Sequence, residues 1–314
     1  MDSFIRTARR TAFVAAAFAA LAVAAGAATS VQRTLESGDL TRTYRLYRPA
    51  SLAPGAHPPL VVVLHGYGGN GAVVEGRYGF DDEADAAGFL VAYPDGYMRG
   101  WNSGNCCQEA LAKKVDDVKF LSSLVEHVVK DEGADPRRVY FAGMSNGALM
   151  SYRMACEATI PIAAIAPVAG TLDTDCPLPR QTSVIAINGS ADGMIPYIGG
   201  KAAAAAGQVT TDNRWRRNLP PTAEVMTRFR ELDGCERATI STAPPVTTDS
   251  ATCKGGRAVS SILVTGLGHE WPGAKMAAGG LRAPAQEREA GGAASAALNA
   301  THAIWQFFAN KVSS

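Results

Sequence analysis

Residues 139–155 read VYFAGMSNGALMSYRMA and contain the strongest structural signal in the chain. Val139–Ala142 is a short apolar run of the kind that forms a strand buried on both faces, and Ala148–Ala155 suits a helix. Between them, Gly143–Gly147 matches the pattern G-x-S-x-G. A strand, a turn and a helix in this order predict a nucleophile elbow, in which Ser145 is held on a sharp turn at the top of a sheet.

Further apolar runs on both sides of this stretch predict a mostly parallel sheet. They alternate with segments of helical spacing, the clearest being Val118–Val129 and the C-terminal Ala300–Phe308. Such alternation is typical of a doubly wound α/β sheet with helices on both faces, whose ligands bind at the carboxyl ends of the strands. The predicted strands are Leu60–Leu64, Phe89–Tyr93, Val139–Ala142, Ala163–Ala169, Val184–Ile187 and Val259–Val264.

The composition fits one large α/β domain. The chain has 314 residues, of which 47% are hydrophobic and 19% charged, so it can bury a sizeable core and is not disordered. The 30 Lys and Arg residues balance 29 Asp and Glu residues, and a net charge of +1 supplies no field that attracts nucleic acid or anionic membranes. Two stretches that interrupt the alternation, Ile198–Pro221 and Lys275–Gly292, are predicted loops above the sheet.

The first 27 residues predict a signal peptide. Three arginines precede the apolar run Ala12–Ala25, which ends at a cleavage-site pattern of small residues, Ala25–Ala27. The run is shorter than the roughly 20 apolar residues that a membrane span needs, so we expect export without stable membrane insertion. The Sec and twin-arginine routes both stay open. We therefore predict a secreted protein, extracellular or periplasmic, in which residues 28–314 form a single catalytic domain.

Six cysteines in an exported chain predict disulfide bonds. The expected pairs are Cys235 with Cys253, which bracket a short polar stretch, and Cys156 with Cys176. The adjacent Cys106 and Cys107 either join each other or pair elsewhere, because the sequence does not fix the connectivity. A zinc site is disfavoured, since no C-x-x-C spacing occurs and histidine is scarce, and we expect neither a metal nor a cofactor.

A nucleophilic serine needs a base, and His269 is the best candidate among the five histidines. It lies in the segment Gly266–Gly273, after the last predicted strand, where a loop can bring an imidazole over the elbow. The others lie in a proline-rich segment, on two predicted helices and at the start of a glycine-rich run: His57, His127, His302 and His65. In that glycine-rich run we expect the backbone to matter more than the imidazole.

A third group should orient the imidazole and should come from a strand end between the serine and the histidine. Asp192 follows the predicted strand Val184–Ile187 within a turn. Asp173 and Asp175 are competitors one strand earlier, but their position beside Cys176 suits a loop tied by a disulfide. The resulting order of serine, aspartate and histidine is that of the α/β-hydrolase fold.

Acyl transfer also needs N–H donors for the oxyanion. The backbone N–H of Asn146, directly after the serine, should supply one, and the glycine-rich loop after His65 the other, which we expect at Tyr67. Trp101 and Trp271 are candidate walls of the substrate site, with a packing role as the alternative.

In order along the chain, these motifs resemble those of a secreted esterase family that groups poly(3-hydroxybutyrate) depolymerases, feruloyl esterases and acetylxylan esterases, including LpqC-like proteins. The resemblance implies an α/β-hydrolase fold with Ser145, Asp192 and His269 at the triad positions. The matching pieces are LHGYGG at 64–69, YPDG at 93–96, WNSGNCC at 101–107, VDDVKFL at 115–121, GMSNGALM at 143–150, ADGMIPY at 191–197 and GHEWPG at 268–273.

The sequence therefore predicts a secreted serine carboxylic-ester hydrolase that works through an acyl-enzyme on feruloyl or related plant-polysaccharide esters. A polyester depolymerase and an acyltransferase with the same triad are the alternatives, and a polysaccharide-binding protein with an inactive site is the non-enzymatic one. The expected partner is a neutral ester, free or polymeric, and not a nucleic acid.

Overall fold

The computed structural model describes residues 27–176, 181–201, 218–275 and 292–313. Residues 1–26, which include nearly all of the predicted signal peptide, lie outside the described residues. The same holds for residues 202–217 and 276–291, which make up most of the two predicted loops.

A ten-stranded sheet forms the centre of the described structure. The described strands are β1 Thr29–Ser37, β2 Leu40–Arg48, β3 Leu60–Leu64, β4 Leu90–Pro94, β5 Val139–Met144, β6 Ala164–Val168, β7 Ser183–Gly189, β8 Gly200–Lys201, β9 Asn218–Leu219, β10 Thr239–Ala243, β11 Val246–Thr252 and β12 Ala258–Val264. The order in the sheet is β1-β2-β4-β3-β5-β6-β7-β12-β11-β10. Its middle six strands, from β4 to β12, are parallel, and an antiparallel pair extends each edge. The short strands β8 and β9 pair with each other at the ends of the first predicted loop.

Helices cover both faces of the sheet. The described helices are α1 Gly71–Tyr78, α2 Phe80–Ala87, α3 Gln108–Ala112, α4 Asp117–Glu132, α5 Asn146–Glu157, α6 Thr222–Asp233, α7 Ala293–Ala296 and α8 Ala300–Phe308. Along β3, Leu60, Val62 and Leu64 pack with α4, α5 and α6, whereas Val61 and Val63 pack with α1, α2 and α8. Successive side chains of a strand point to opposite faces, so one apolar run supplies two cores.

All six predicted strands are present, with boundaries shifted by no more than a few residues. The predicted helix Val118–Val129 extends over Asp117–Glu132, and the Asp116 side chain caps it by accepting a hydrogen bond from the Lys119 N–H. The antiparallel edge strands were not predicted. β1 is largely exposed and β10 is exposed along its whole length, whereas β2 and β11 are only partly buried. These strands therefore lack the continuous apolar run that identified the buried strands.

Three disulfide bonds account for all six cysteines: Cys106–Cys107, Cys156–Cys176 and Cys235–Cys253. Both predicted pairs are therefore confirmed, and the two adjacent cysteines join each other. Within the described ranges, no cluster of three or more His, Cys, Asp or Glu side chains is placed to hold a metal ion. None of the described helices has the length and apolar character required to cross a membrane.

A buried ion pair ties the antiparallel edge to the helix layer. The Arg42 guanidinium on β2 donates to Asp117 Oδ1 at 2.8 Å and lies 4.0 Å from the centre of the Phe120 ring. The other oxygen of Asp117 accepts a hydrogen bond from the Asn102 N–H at 2.8 Å. Burial raises the pKa of Asp117, and the Arg42 charge opposes that rise. The pair thus anchors the segment after β4 to α4.

Substitution Arg42→Met should lower the free energy of unfolding by about 3–5 kcal/mol, because it leaves the Asp117 charge buried without its partner. Urea unfolding measures the change. Lys275→Met is the matched control, since it removes the partner of exposed Asp82 and should cost less than about 1 kcal/mol. Equal losses in the two variants would contradict the special role of the buried pair.

Candidate active site

Ser145 lies on the sharp turn between β5 and α5, as the sequence predicts. Its backbone has φ 55° and ψ −122°, a conformation that non-glycine residues rarely adopt. Glycine is required on both sides: a Cβ at Gly143 would lie 2.4 Å from the Gly147 carbonyl oxygen, and one at Gly147 would lie 2.4 Å from that of Leu64. The G-x-S-x-G pattern is therefore a consequence of close backbone packing at this turn.

Asp192 and His269 contact each other at the same edge of the sheet. Their loops leave the parallel neighbours β7 and β12 at the carboxyl ends, and Asp192 Oδ2 lies 2.8 Å from His269 Nδ1. The other carboxylate oxygen accepts hydrogen bonds from the N–H groups of Met194 and Ile195 at 2.8 and 2.9 Å. Both side chains of the pair are buried. The structure thus joins Asp192 to His269, as predicted in preference to Asp173 and Asp175.

This contact sets the tautomer of the imidazole. A carboxylate only accepts hydrogen bonds, so Nδ1 carries the proton and Nε2 presents a lone pair. His269 Nε2 is buried and makes no hydrogen bond with any described residue, including Ser145. An unbonded basic nitrogen at the carboxyl edge of the sheet, where β5 delivers the serine, has the chemistry of a general base awaiting substrate.

The two predicted oxyanion donors also lie at this edge. Asn146 is the first residue of α5, and the first N–H groups of a helix have no partner within it. In the loop after β3, Gly68 N–H donates to the Arg99 oxygen and Gly69 N–H to the Gly66 oxygen. For Tyr67, by contrast, the described residues provide no backbone acceptor. The role of the Tyr67 and Asn146 N–H groups as oxyanion donors stays a prediction.

The His65 imidazole connects the loop after β3 to the loop after β4, a role that the sequence reasoning missed. Nδ1 donates to the Gly66 oxygen at 2.8 Å, and Nε2 accepts the Gly96 N–H at 2.8 Å. Burial lowers the pKa of His65 to about 4, so the ring is neutral and both of its nitrogens are used. Nothing in the local sequence could reveal this function, because Gly96 lies 31 residues away.

The Asn146 side chain holds the loop after β4. Its Oδ1 accepts the Trp101 N–H at 2.7 Å, and its Nδ2 donates to the Trp101 oxygen at 3.0 Å. The Trp101 indole N–H in turn donates to the His65 oxygen at 2.9 Å. The residue predicted only as a backbone donor thus also positions the neighbouring loops.

The two tryptophans, for which the sequence left a substrate wall and a packing role open, are core residues. Trp101 is fully buried, and Trp271 is 2% exposed. The Trp271 ring stacks on Tyr78 with 4.1 Å between the ring centres, and its N–H donates to Thr301 Oγ1 at 3.1 Å. An indole enclosed in this way presents no face to a substrate, so the packing alternative fits the structure.

Comparison with known proteins points to esterases. Residues 42–176 match the family model described as Esterase PHB depolymerase. A protein from Nocardia uniformis subsp. tsuyamanensis that bears the name "Putative esterase NocK" is 33% identical over 259 residues, which span 78% of this chain and 75% of NocK. Feruloyl esterase B of Piromyces equi is 27% identical over 239 residues, which span 73% of this chain but only 42% of that protein.

A solved structure of similar fold is the acetyl xylan esterase from Aspergillus awamori. It superposes with a TM-score of 0.53 over 76% of this chain and 94% of its own. The sequences are 17% identical, so the superposition supports the fold alone. The described sheet and its helices thus form an α/β-hydrolase fold.

Between about pH 6.5 and pH 4, His65 should make the protein less stable as the pH falls. The unfolded chain binds a proton there at pH values where the folded protein excludes it, so acid favours unfolding. The variant His65→Gln should lose less stability over the same range. Urea unfolding at several pH values measures the free energy of unfolding of both proteins. The difference between the two free energies removes the contribution of the other titrating groups, which both proteins share. Parallel pH profiles would contradict the prediction.

Proposed function

We propose that this chain, which belongs to the Esterase PHB depolymerase family of carboxylic ester hydrolases, cleaves esters through a covalent acyl-enzyme on Ser145. The contact between Asp192 Oδ2 and His269 Nδ1 is the observation that carries the proposal. It orients the imidazole so that Nε2 is free to act as a base, at the same sheet edge as a serine on a nucleophile elbow.

In this mechanism Ser145 Oγ attacks the ester carbonyl while His269 Nε2 takes its proton. The N–H groups of Tyr67 and Asn146 stabilise the oxyanion, and Asp192 stabilises the imidazolium that forms. The imidazolium then gives its proton to the leaving alcohol. Water, activated by the same imidazole, attacks the acyl-enzyme and releases the acid, which restores the free serine.

The proposed substrates are feruloyl or related plant-polysaccharide esters. Similarity to feruloyl esterase B supports this class, and the net charge of +1 suits a neutral ester that needs no electrostatic capture. A polyester such as poly(3-hydroxybutyrate) is the second candidate, because the matching family model takes its description from depolymerases of that polymer.

We further propose that residues 1–27 direct export, and that residues 28–314 act as one catalytic domain outside the cytoplasm. Three disulfide bonds support this proposal, since such bonds form and persist in oxidising compartments.

Ser145→Ala should abolish hydrolysis and labelling by a fluorophosphonate, and Asp192→Asn should lower kcat on the order of 10⁴-fold, because the amide favours the wrong tautomer of His269. Asp173→Asn, which changes the competing acid one strand earlier, is the matched control and should keep activity close to that of the unchanged protein. Hydrolysis of a short acyl ester measures all three. Full activity of Ser145→Ala would exclude the acyl-enzyme.

The substrate class is tested with the unchanged protein on methyl ferulate, acetylated xylan and a poly(3-hydroxybutyrate) film. Faster release of ferulate than of the other products supports the first candidate. Clearing of the film without ferulate release would instead assign the polyester.

A further inference from the structure

A third apolar cluster lies apart from the two cores that join the helices to the sheet. We call it the edge cluster. Its buried members come from four segments of the chain, and two partly buried side chains pack against them. The buried members are Cys106, Cys107, Leu149, Ile195 and Leu219, and the two others are Tyr67 and Met194.

The edge cluster touches the candidate site through several of its parts. Leu149 lies one helical turn after Ser145 and donates its N–H to the Ser145 oxygen at 3.0 Å. Cys106 Sγ lies 3.6 Å from Asn146 Nδ2. Tyr67, in the same cluster, is the residue whose backbone N–H is the second proposed oxyanion donor.

The acid turn contributes the other side of the cluster. Met194 and Ile195 donate their N–H groups to Asp192 Oδ1, and their side chains pack in the edge cluster. Elements that carry the serine, the acid and the oxyanion donors thus share one small apolar unit. Among its described members, none comes from the loop that carries His269.

We propose that the edge cluster binds the acyl group of the substrate and favours large hydrophobic or aromatic acyl groups over acetyl. This proposal rests on the ester hydrolysis proposed above. The partly exposed Tyr67 and Met194 contact the acyl group, and the Cys106–Cys107 disulfide forms the base beneath them. The alcohol leaves on the side of His269, which protonates it, so the apolar unit built from the other loops faces the acyl part.

The chemistry of the edge cluster suits an aromatic acyl group. It combines the thioether of Met194 and the two disulfide sulfurs with the Tyr67 ring, and sulfur makes favourable contacts with aromatic rings. The joined cysteine pair is buried beneath Tyr67 and Met194 and carries no thiol donor. An acetyl group offers only a methyl to such a cluster, whereas a phenylpropenoyl group offers an aromatic ring.

The test compares 4-nitrophenyl cinnamate with 4-nitrophenyl acetate, which share one leaving group. For Met194→Ala and for the double variant Cys106→Ala/Cys107→Ala, the ratio of kcat/KM for cinnamate over acetate should fall by about 10-fold or more, mainly through KM for cinnamate. The ratio does not depend on the fraction of active enzyme, so partial misfolding of the double variant leaves the comparison valid. Met194 is partly exposed, and its variant provides the measurement if the double variant fails to fold.

The double variant Cys235→Ala/Cys253→Ala is the matched control, because it removes a disulfide outside the edge cluster. Its cinnamate-to-acetate ratio should equal that of the unchanged protein. A ratio that stays constant in the edge variants overturns the acyl site. The acyl site is also overturned if the edge variants change kcat/KM only between esters that share one acyl group and differ in the alcohol.

Failure of the proposed function is recognised separately. In that case the unchanged protein hydrolyses neither ester, and Ser145 is not labelled by a fluorophosphonate. An enzyme that is labelled at Ser145, but whose ratio is insensitive to Met194 and to the Cys106–Cys107 pair, retains the proposed function and lacks the inferred acyl site.

Discussion

The close approach of the β5–α5 turn to the end of β3 is the constraint on which the candidate site depends. There is no room for a side chain at Gly143 or Gly147, and the missing methyl groups let the backbone of α5 touch the Leu64 and His65 carbonyl oxygens. This contact puts the serine beside the loop that follows β3. The proposed nucleophile and a proposed oxyanion donor, from segments nearly 80 residues apart in sequence, are therefore held by one packing contact.

The loops around that contact are fixed by buried polar groups rather than by apolar packing alone. His65 joins two loops through both ring nitrogens, the Asn146 amide clasps the backbone of Trp101, and Asp117 takes up the Asn102 N–H while Arg42 balances its charge. Each group satisfies a donor or acceptor that would otherwise be costly to bury. Fully satisfied networks of this kind hold backbone N–H groups in place, which is the condition for preorganised stabilisation of an oxyanion.

The sequence predicted the parts of the molecule whose physics is local. Strands buried on both faces, such as β3, show as continuous apolar runs, and the G-x-S-x-G turn is a contiguous signal. The choice of Asp192 over Asp173 followed from strand order. The edge strand β10 was not predicted because it is exposed and mostly polar. The side-chain roles of His65 and Asn146 were not predicted because their partners lie 31 and 45 residues away. The sequence left a wall role and a packing role open for the two tryptophans because burial depends on the whole fold.

The disulfide pattern has a consequence for assembly of the enzyme. The bridges join cysteines 1, 20 and 18 residues apart, so each links positions that lie close together along the chain. Asp192 and His269 are 77 residues apart, and no covalent link spans that interval. Oxidation can thus be completed while the chain is still largely unpaired, and the choice of cysteine partners needs little guidance from the finished sheet. The contact between Asp192 and His269 forms only when β12 pairs in register with β7. A chain with all three disulfide bonds formed can therefore still lack this contact.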